Sequence, residues 1–110
     1  MSILGGVEAG GEKFICAIGT GPRDLGSEVR FDTRAPQETL SKVITFFNQQ
    51  RKEAGSLEAI GIGSFGPIDI NPNSPTFGYI TSTPKPGWAQ TDFVGFIKRN
   101  LGVPVASIRM

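Results

Sequence analysis

Two segments carry the residue types that could do chemistry. The first is Gly5-Gly6-Val7-Glu8-Ala9-Gly10-Gly11-Glu12-Lys13. Glycines let backbone N–H groups close in on a phosphate, and a lysine ammonium adds a point charge. Gly10, Gly11 and Lys13 are therefore the candidate phosphate-binding residues. An ordinary hairpin turn would use the same residues, and the Walker spacing with its Lys-Ser/Thr ending is missing. The second segment opens with Gly66-Pro67-Ile68-Asp69 and closes with Lys85-Pro86-Gly87-Trp88. Asp69 reads either as a site carboxylate or as a cap for the amides of its own turn. Trp88, the single Trp, reads as a hydrophobic plug against a following helix.

Composition removes whole classes. One Cys and no His among 110 residues exclude an intrachain disulfide, an ordinary zinc site and every Ser–His or Cys–His dyad. Eleven Lys and Arg against ten Asp and Glu leave a net charge of +1, with no footprint for nucleic acid or anionic lipid. No run approaches the roughly 20 apolar residues that cross a bilayer, and no secretory signal follows Met1. A lone Cys16 fits a reducing cytoplasm. The length suits one domain and one core.

The elements that must position these segments are marked by 15 Gly and 8 Pro. Ile3 to Glu8 and Lys13 to Ile18 are apolar runs a tight turn apart, which predicts a hairpin. Ser27 to Asp32 alternates polar and apolar as an outer strand should, so the first three strands form an antiparallel meander. Pro36 suits the first position of a helix and Glu38 its first turn, while Leu40, Val43, Ile44 and Phe47 recur at helical spacing. Arg51, Lys52 and Gly55 favour its end. Leu57 to Gly63 is a strand. Asn71 to Trp88 is mostly loop, with a short hairpin expected around Phe77 to Thr81, and loops this long in a compact domain are usually functional. A second helix from about Thr91 or Asp92 to Leu101 precedes a last strand opening at Val103-Pro104-Val105. Strand, strand, strand, helix, strand, helix, strand predicts an α/β fold: a mixed sheet with two crossover helices.

The stretches EAGGEKF, IGIGSFGPIDINPNSPTFGYITSTPKPGW and LGVPV together resemble bacterial fructokinases of the ROK family of sugar kinases, over nearly the whole chain to about Val105. The resemblance implies a ribonuclease-H-like (actin-like ATPase) fold, in which two lobes close on a cleft that holds MgATP and a hexose. This chain looks like the first lobe, over residues 1–105, with 106–110 as a tail outside the pattern. The family's phosphate loop has an acidic residue, a Gly-Gly pair and a Thr; here Glu8, Gly10, Gly11 and Glu12 stand there. A Thr hydroxyl donates to a phosphate oxygen, whereas the Glu12 carboxylate can only accept and repels the anion. Gly66, Pro67 and Asp69 match the family's loop at the sugar side of the cleft, and Lys85, Pro86, Gly87 and Trp88 match the segment that closes over the sugar. The resemblance thus implies Gly66, Asp69, Lys85 and Trp88 as substrate-binding residues.

The family's last strand continues from Val-Pro-Val into an Asp-x-Asn stretch whose Asp is the general base. Here it continues as Ala106-Ser107-Ile108-Arg109-Met110, so no catalytic residue and no metal ligand is assigned, and ATP and Mg belong to the parent family. Three readings follow from the residues and the resemblance. One is a truncated fructokinase lobe without turnover of its own. Another is a self-associated small protein that binds a sugar or phosphate, a homodimer or higher oligomer, since a sheet lacking its covering helices favours pairing. The last is a sugar-sensing module, which cannot bind DNA through the N-terminal helix-turn-helix of the family's repressors because Met1 to Gly6 leaves no space for one.

Overall fold

A computed structural model describes residues 2–21, 24–64, 67–81 and 87–108. The elements run β1 (Ser2–Ala9), β2 (Lys13–Gly21), β3 (Asp24–Asp32), α1 (Pro36–Glu53), β4 (Ser56–Ser64), β5 (Tyr79–Ile80), β6 (Thr91–Asp92), α2 (Phe93–Leu101) and β7 (Val105–Ile108). The main sheet has the order β3-β2-β1-β4-β7, while β5 and β6 form a separate two-stranded ladder. β1, β2 and β3 pair antiparallel, as the meander predicts, and β4 lies parallel to both β1 and β7. β2 and β3 run closer to their connecting turn than the alternation predicts, because the ladder continues past irregularities at Ala17/Gly19 and Gly19/Gly21. β7 likewise carries Ala106, Ser107 and Ile108 beside Gly61, Ile62 and Gly63.

Both helices cover one face of that sheet. The inward row alternates along each strand: Val7 and Ala9, then Phe14, Cys16 and Ile18, then Ile60 and Ile62, all buried. α1 meets it with Leu40, Val43 and Phe47, and α2 with Phe93, Val94, Ile97 and Leu101. Gly5 makes close approach possible, since a Cβ there would fall 2.7 Å from the Phe47 ring. Pro36 occupies the first turn of α1, where no donor is needed. Arg51 in its last turn donates to the Leu101 carbonyl at the end of α2, and Gly102, at φ 66°, closes that helix in the left-handed region with its N–H on Lys98 O. Burial pushes the Cys16 thiol up to about 12, so the thiolate that would react is absent at neutral pH.

The hairpin expected around Phe77 to Thr81 does not form. Tyr79 and Ile80 pair instead with Asp92 and Thr91, and Ile80 also bridges back to Ile68. Residues 71–78 are spent on turns, with Ser74 N–H on Asn71 O and Phe77 N–H on Ser74 O, so they offer β5 no local partner strand. The second helix starts at Phe93 rather than Thr91, because Thr91 and Asp92 are taken into that ladder.

Phe47 is fully buried at the contact between α1 and the sheet. Phe47→Ala is expected to lower the urea-unfolding free energy by about 3–5 kcal/mol. Glu58→Ala, which removes a surface carboxylate accepting from the Ser2 hydroxyl at 2.8 Å, should change it by less than about 0.5 kcal/mol.

Candidate functional site

The register of β1 on β4 decides where the two chemical segments meet. Ala9 pairs with Ser64 at the carboxyl ends of parallel strands, so the chain leaves both strands at one end of the sheet. Open α/β sheets place their ligand loops at that end. The glycine turn follows Ala9, and Pro67 to Asp69 follows shortly after Ser64. Gly66 and Lys85, both implied as substrate-binding, lie outside the described residues, as does Pro86.

The turn between β1 and β2 is tightly held. Gly10 N–H donates to Lys13 O at 2.9 Å, and a Cβ at Gly10 would fall 2.7 Å from that same carbonyl, so this position excludes any side chain. Thr33 supports the turn from beside β3: its hydroxyl donates to Gly10 O at 2.7 Å and its N–H to Glu12 O at 2.9 Å. Gly11, by contrast, faces open space. Lys13 is ion-paired with Asp32, directly opposite on β3. That hydrogen bond, followed by the charges of Lys13, Arg34 and Lys42, holds the Asp32 carboxyl below its ordinary value. Arg34 extends the chain of charges to Glu38 at 3.5 Å. The lysine is thus a shared charge at an exposed surface rather than a lone one. Nothing in residue spacing marked Thr33, because its partners lie more than twenty positions away in the chain.

Asp69 organises its own loop. Oδ1 accepts the Asn71 N–H at 3.0 Å and Oδ2 the Thr76 hydroxyl at 2.7 Å, while its backbone exchanges bonds with Gly78 and Tyr79. Hydrogen bonds from the Ser74 and Thr76 hydroxyls, then from Asn71 N–H, hold its carboxyl below the ordinary value. The capping reading of this residue is therefore the one its contacts satisfy. Thr81 N–H on Pro67 O and Gln90 N–H on Ile80 O, at 3.0 and 2.6 Å, tie the strip 67–69 to residues 79–81 and 90–92. Gln90 holds φ at 62°, a strained setting for a residue with a Cβ, and its side-chain amide donates to Thr81 O at 2.7 Å. Asp92, the other carboxylate in this strip, is paired with Arg99 at 2.9 Å.

Trp88 is fully buried. Its ring lies 5.6 Å from Phe14 and 6.3 Å from Phe93, and its indole N–H donates to Arg34 O at 2.8 Å. The ring is spent on the core, where it packs as the plug that the sequence also allows, beneath the glycine turn. Lys13, Phe14 and Trp88 are thereby joined in one unit, while the Asp69 side chain stays within its own loop. Among the described residues, no group of three His, Cys, Asp or Glu could hold a metal ion, and no helix is long and apolar enough to cross a membrane.

A mixed five-stranded sheet with both helices on one face and its loops gathered at the carboxyl ends of β1 and β4 is a lobe of the actin-like ATPase fold. The chain belongs to the ROK family, whose sequence profile matches residues 4–109. It is 49% identical over 102 residues to a fructokinase of Streptococcus mutans, covering 93% of this chain and 34% of that one. Against a putative fructokinase of Bacillus subtilis it is 47% identical over 103 residues, covering 94% and 33%. The chain thus spans about a third of the length of the curated relatives it matches. Among solved structures, a ROK hexokinase from Thermus thermophilus superposes with a TM-score of 0.79 at 24% identity, covering 97% of this chain and 35% of that one. A ROK family glucokinase from Streptomyces griseus, in complex with glucose and AMPPNP, gives 0.70 at 19%, covering 97% and 33%.

Because the native pKa of Asp69 is depressed, its contribution to stability is full above the ordinary carboxylate value, about 3.9, and is lost as pH falls through the lower native value. In urea unfolding followed from pH 6 down to pH 2, Asp69→Asn should remove part of the acid loss seen in the parent chain; parallel curves would show that the loop bonds do not depend on charge. Trp88 should emit at short wavelength, resist acrylamide quenching and stay unchanged by millimolar fructose, whereas a fructose-induced shift would show the ring in contact with the sugar.

Proposed function

We propose that the chain is the phosphate-turn lobe of an ATP-dependent fructokinase, which in its parent proteins carries a phosphoryl group from MgATP to a hexose hydroxyl. The observation that carries this reading is identity of 42–49% with five curated fructokinases, one of them putative, over more than nine-tenths of the chain. The resemblance suggests a division of labour, with Gly10, Gly11 and Lys13 on the phosphate side, where Gly11 opens to solvent, and Gly66, Asp69, Lys85 and Trp88 on the sugar side. The turn fits a phosphate in part: its backbone is pinned in place, but Lys13 is shared with Asp32 and Glu12 is an exposed carboxylate that repels an anion.

Turnover by this chain alone is not expected. Phosphoryl transfer needs a placed nucleophile and neutralised charge. Asp69 and Asp92 are both committed to local partners, and residues 106–110 lack the Asp-x-Asn stretch. This reading puts the protein in the cytoplasm, with a hexose and a nucleotide as its ligands. A second reading, a self-associated sugar- or phosphate-binding protein, is favoured by a sheet face on which Leu4 is 48% exposed.

The test is ATP-dependent phosphorylation of fructose, read by mass spectrometry, with protein made in a host lacking hexose kinases. No sugar phosphate is expected, while Glu12→Thr should tighten ATP binding several-fold by removing a like charge. Sugar phosphate that forms and disappears in Asp69→Asn would overturn the reading of an inactive lobe.

A further inference from the structure

Two carbonyls of the turn between β1 and β2 converge on one residue outside it. The Thr33 hydroxyl donates to Gly10 O at 2.7 Å, and the Thr33 N–H donates to Glu12 O at 2.9 Å. In a planar trans peptide the N–H points opposite to the C=O. The Gly11 N–H shares its peptide with Gly10 O, so it is turned away from Thr33. Among the described residues, the Gly11 and Glu12 N–H groups have no hydrogen-bond acceptor, and a Cβ at Gly11 would meet nothing within 4 Å. Successive open N–H groups in a tight turn form a concavity suited to an anion. Thr33 is itself firmly placed. It is 6% exposed, and the residue after it is anchored twice. Arg34 N–H donates to the buried Thr39 hydroxyl at 2.9 Å, and Arg34 O accepts the Trp88 indole N–H at 2.8 Å.

We propose that Thr33 is a positioning residue for phosphate recognition by this turn. The role rests on the phosphate-side reading of Gly10 and Gly11, and it adds a residue outside the glycine segment that sets the segment's affinity. The hydroxyl acts on a single peptide, the one between Gly10 and Gly11. Both flanking residues are glycines, whose backbone rotates with little steric restraint. Without the hydroxyl, the Gly10 N–H still closes the turn on Lys13 O, and the Thr33 N–H still holds Glu12 O. The Gly10–Gly11 peptide alone loses the bond that orients it. Binding a phosphate would then have to order that peptide, and this cost lowers affinity. Through Arg34, the orientation is passed on from the start of α1 and from the aromatic stack. The turn therefore takes its shape from the core rather than from its own few residues.

The experiment is a titration of the full chain with MgATP, read on the backbone amides by NMR, with Thr33→Val and Thr33→Ser alongside the parent. Valine keeps the shape and removes the hydroxyl, whereas serine keeps the hydroxyl. Circular dichroism and urea midpoints check folding, and Thr33→Ala, which cannot overpack, replaces the valine variant should that one fail to fold. In the parent, ATP should shift the Gly11 and Glu12 amides. Loss of one neutral hydrogen bond should raise the dissociation constant about three- to tenfold in Thr33→Val and leave Thr33→Ser within about twofold of the parent. A merely structural threonine would lower the urea midpoint and leave the ATP affinity of the folded protein unchanged, and that result would overturn the role. Equal losses in the valine and serine variants would overturn it too, since the hydroxyl would then not be the cause. A parent whose turn amides ignore millimolar ATP would instead overturn the phosphate-side reading itself, and the role of Thr33 with it.

Discussion

The stack of Phe14 with Trp88 and Phe93 joins parts of the chain that are far apart in sequence. Phe14 follows the glycine turn on β2, Trp88 ends the long loop after β4, and Phe93 opens α2; all three rings are fully buried. Aromatic pairs of this kind contribute about 0.5–1.5 kcal/mol each beyond the area they bury. Their larger consequence is positional. Because Trp88 also donates to Arg34 O, the indole, the start of the second helix and the segment after β3 are held against the base of the turn. The site end of the sheet is therefore built from packing first and from polar contacts second.

Those polar contacts are mostly inward-looking. Lys13 answers Asp32, Thr33 holds the carbonyls of the turn, and Asp69 holds the amide and hydroxyl groups of its own loop. Groups that resemble a binding constellation in sequence act in the fold as its internal fasteners. That arrangement holds the described parts of the two loops in shape.

The sheet is two-sided in a way that a single amphipathic strand does not announce. Its inward face carries Ile, Val, Phe and Cys, and its outward face carries Gly and Ala with Leu4, Ile15 and the charged Glu8, Glu28 and Arg30 among them. Small residues on the outward face lose little by exposure.

Much of this was legible in the sequence. The turn glycines, the 3.6-residue spacing of Leu40, Val43 and Phe47, and the capping position of Pro36 each act over a few residues, and local sterics and periodicity are enough to read them. The meander, both helices and the order of strands followed from the same signals, and the resemblance to fructokinases rested on contiguous stretches. Other features depend on partners distant in the chain. β5 pairs with β6 rather than within its own hairpin, β7 runs on beside β4, Lys13 is held by Asp32, and the Trp88 ring is spent on Phe14. Local sequence fixes a residue's conformational preference, but which group satisfies its charge, ring or backbone donor is settled by long-range register and packing. For this chain the sequence alone determined the elements and the family pattern, and tertiary structure alone decided which described candidate residues are spent on the core or on one another, as Trp88, Lys13 and Asp69 are.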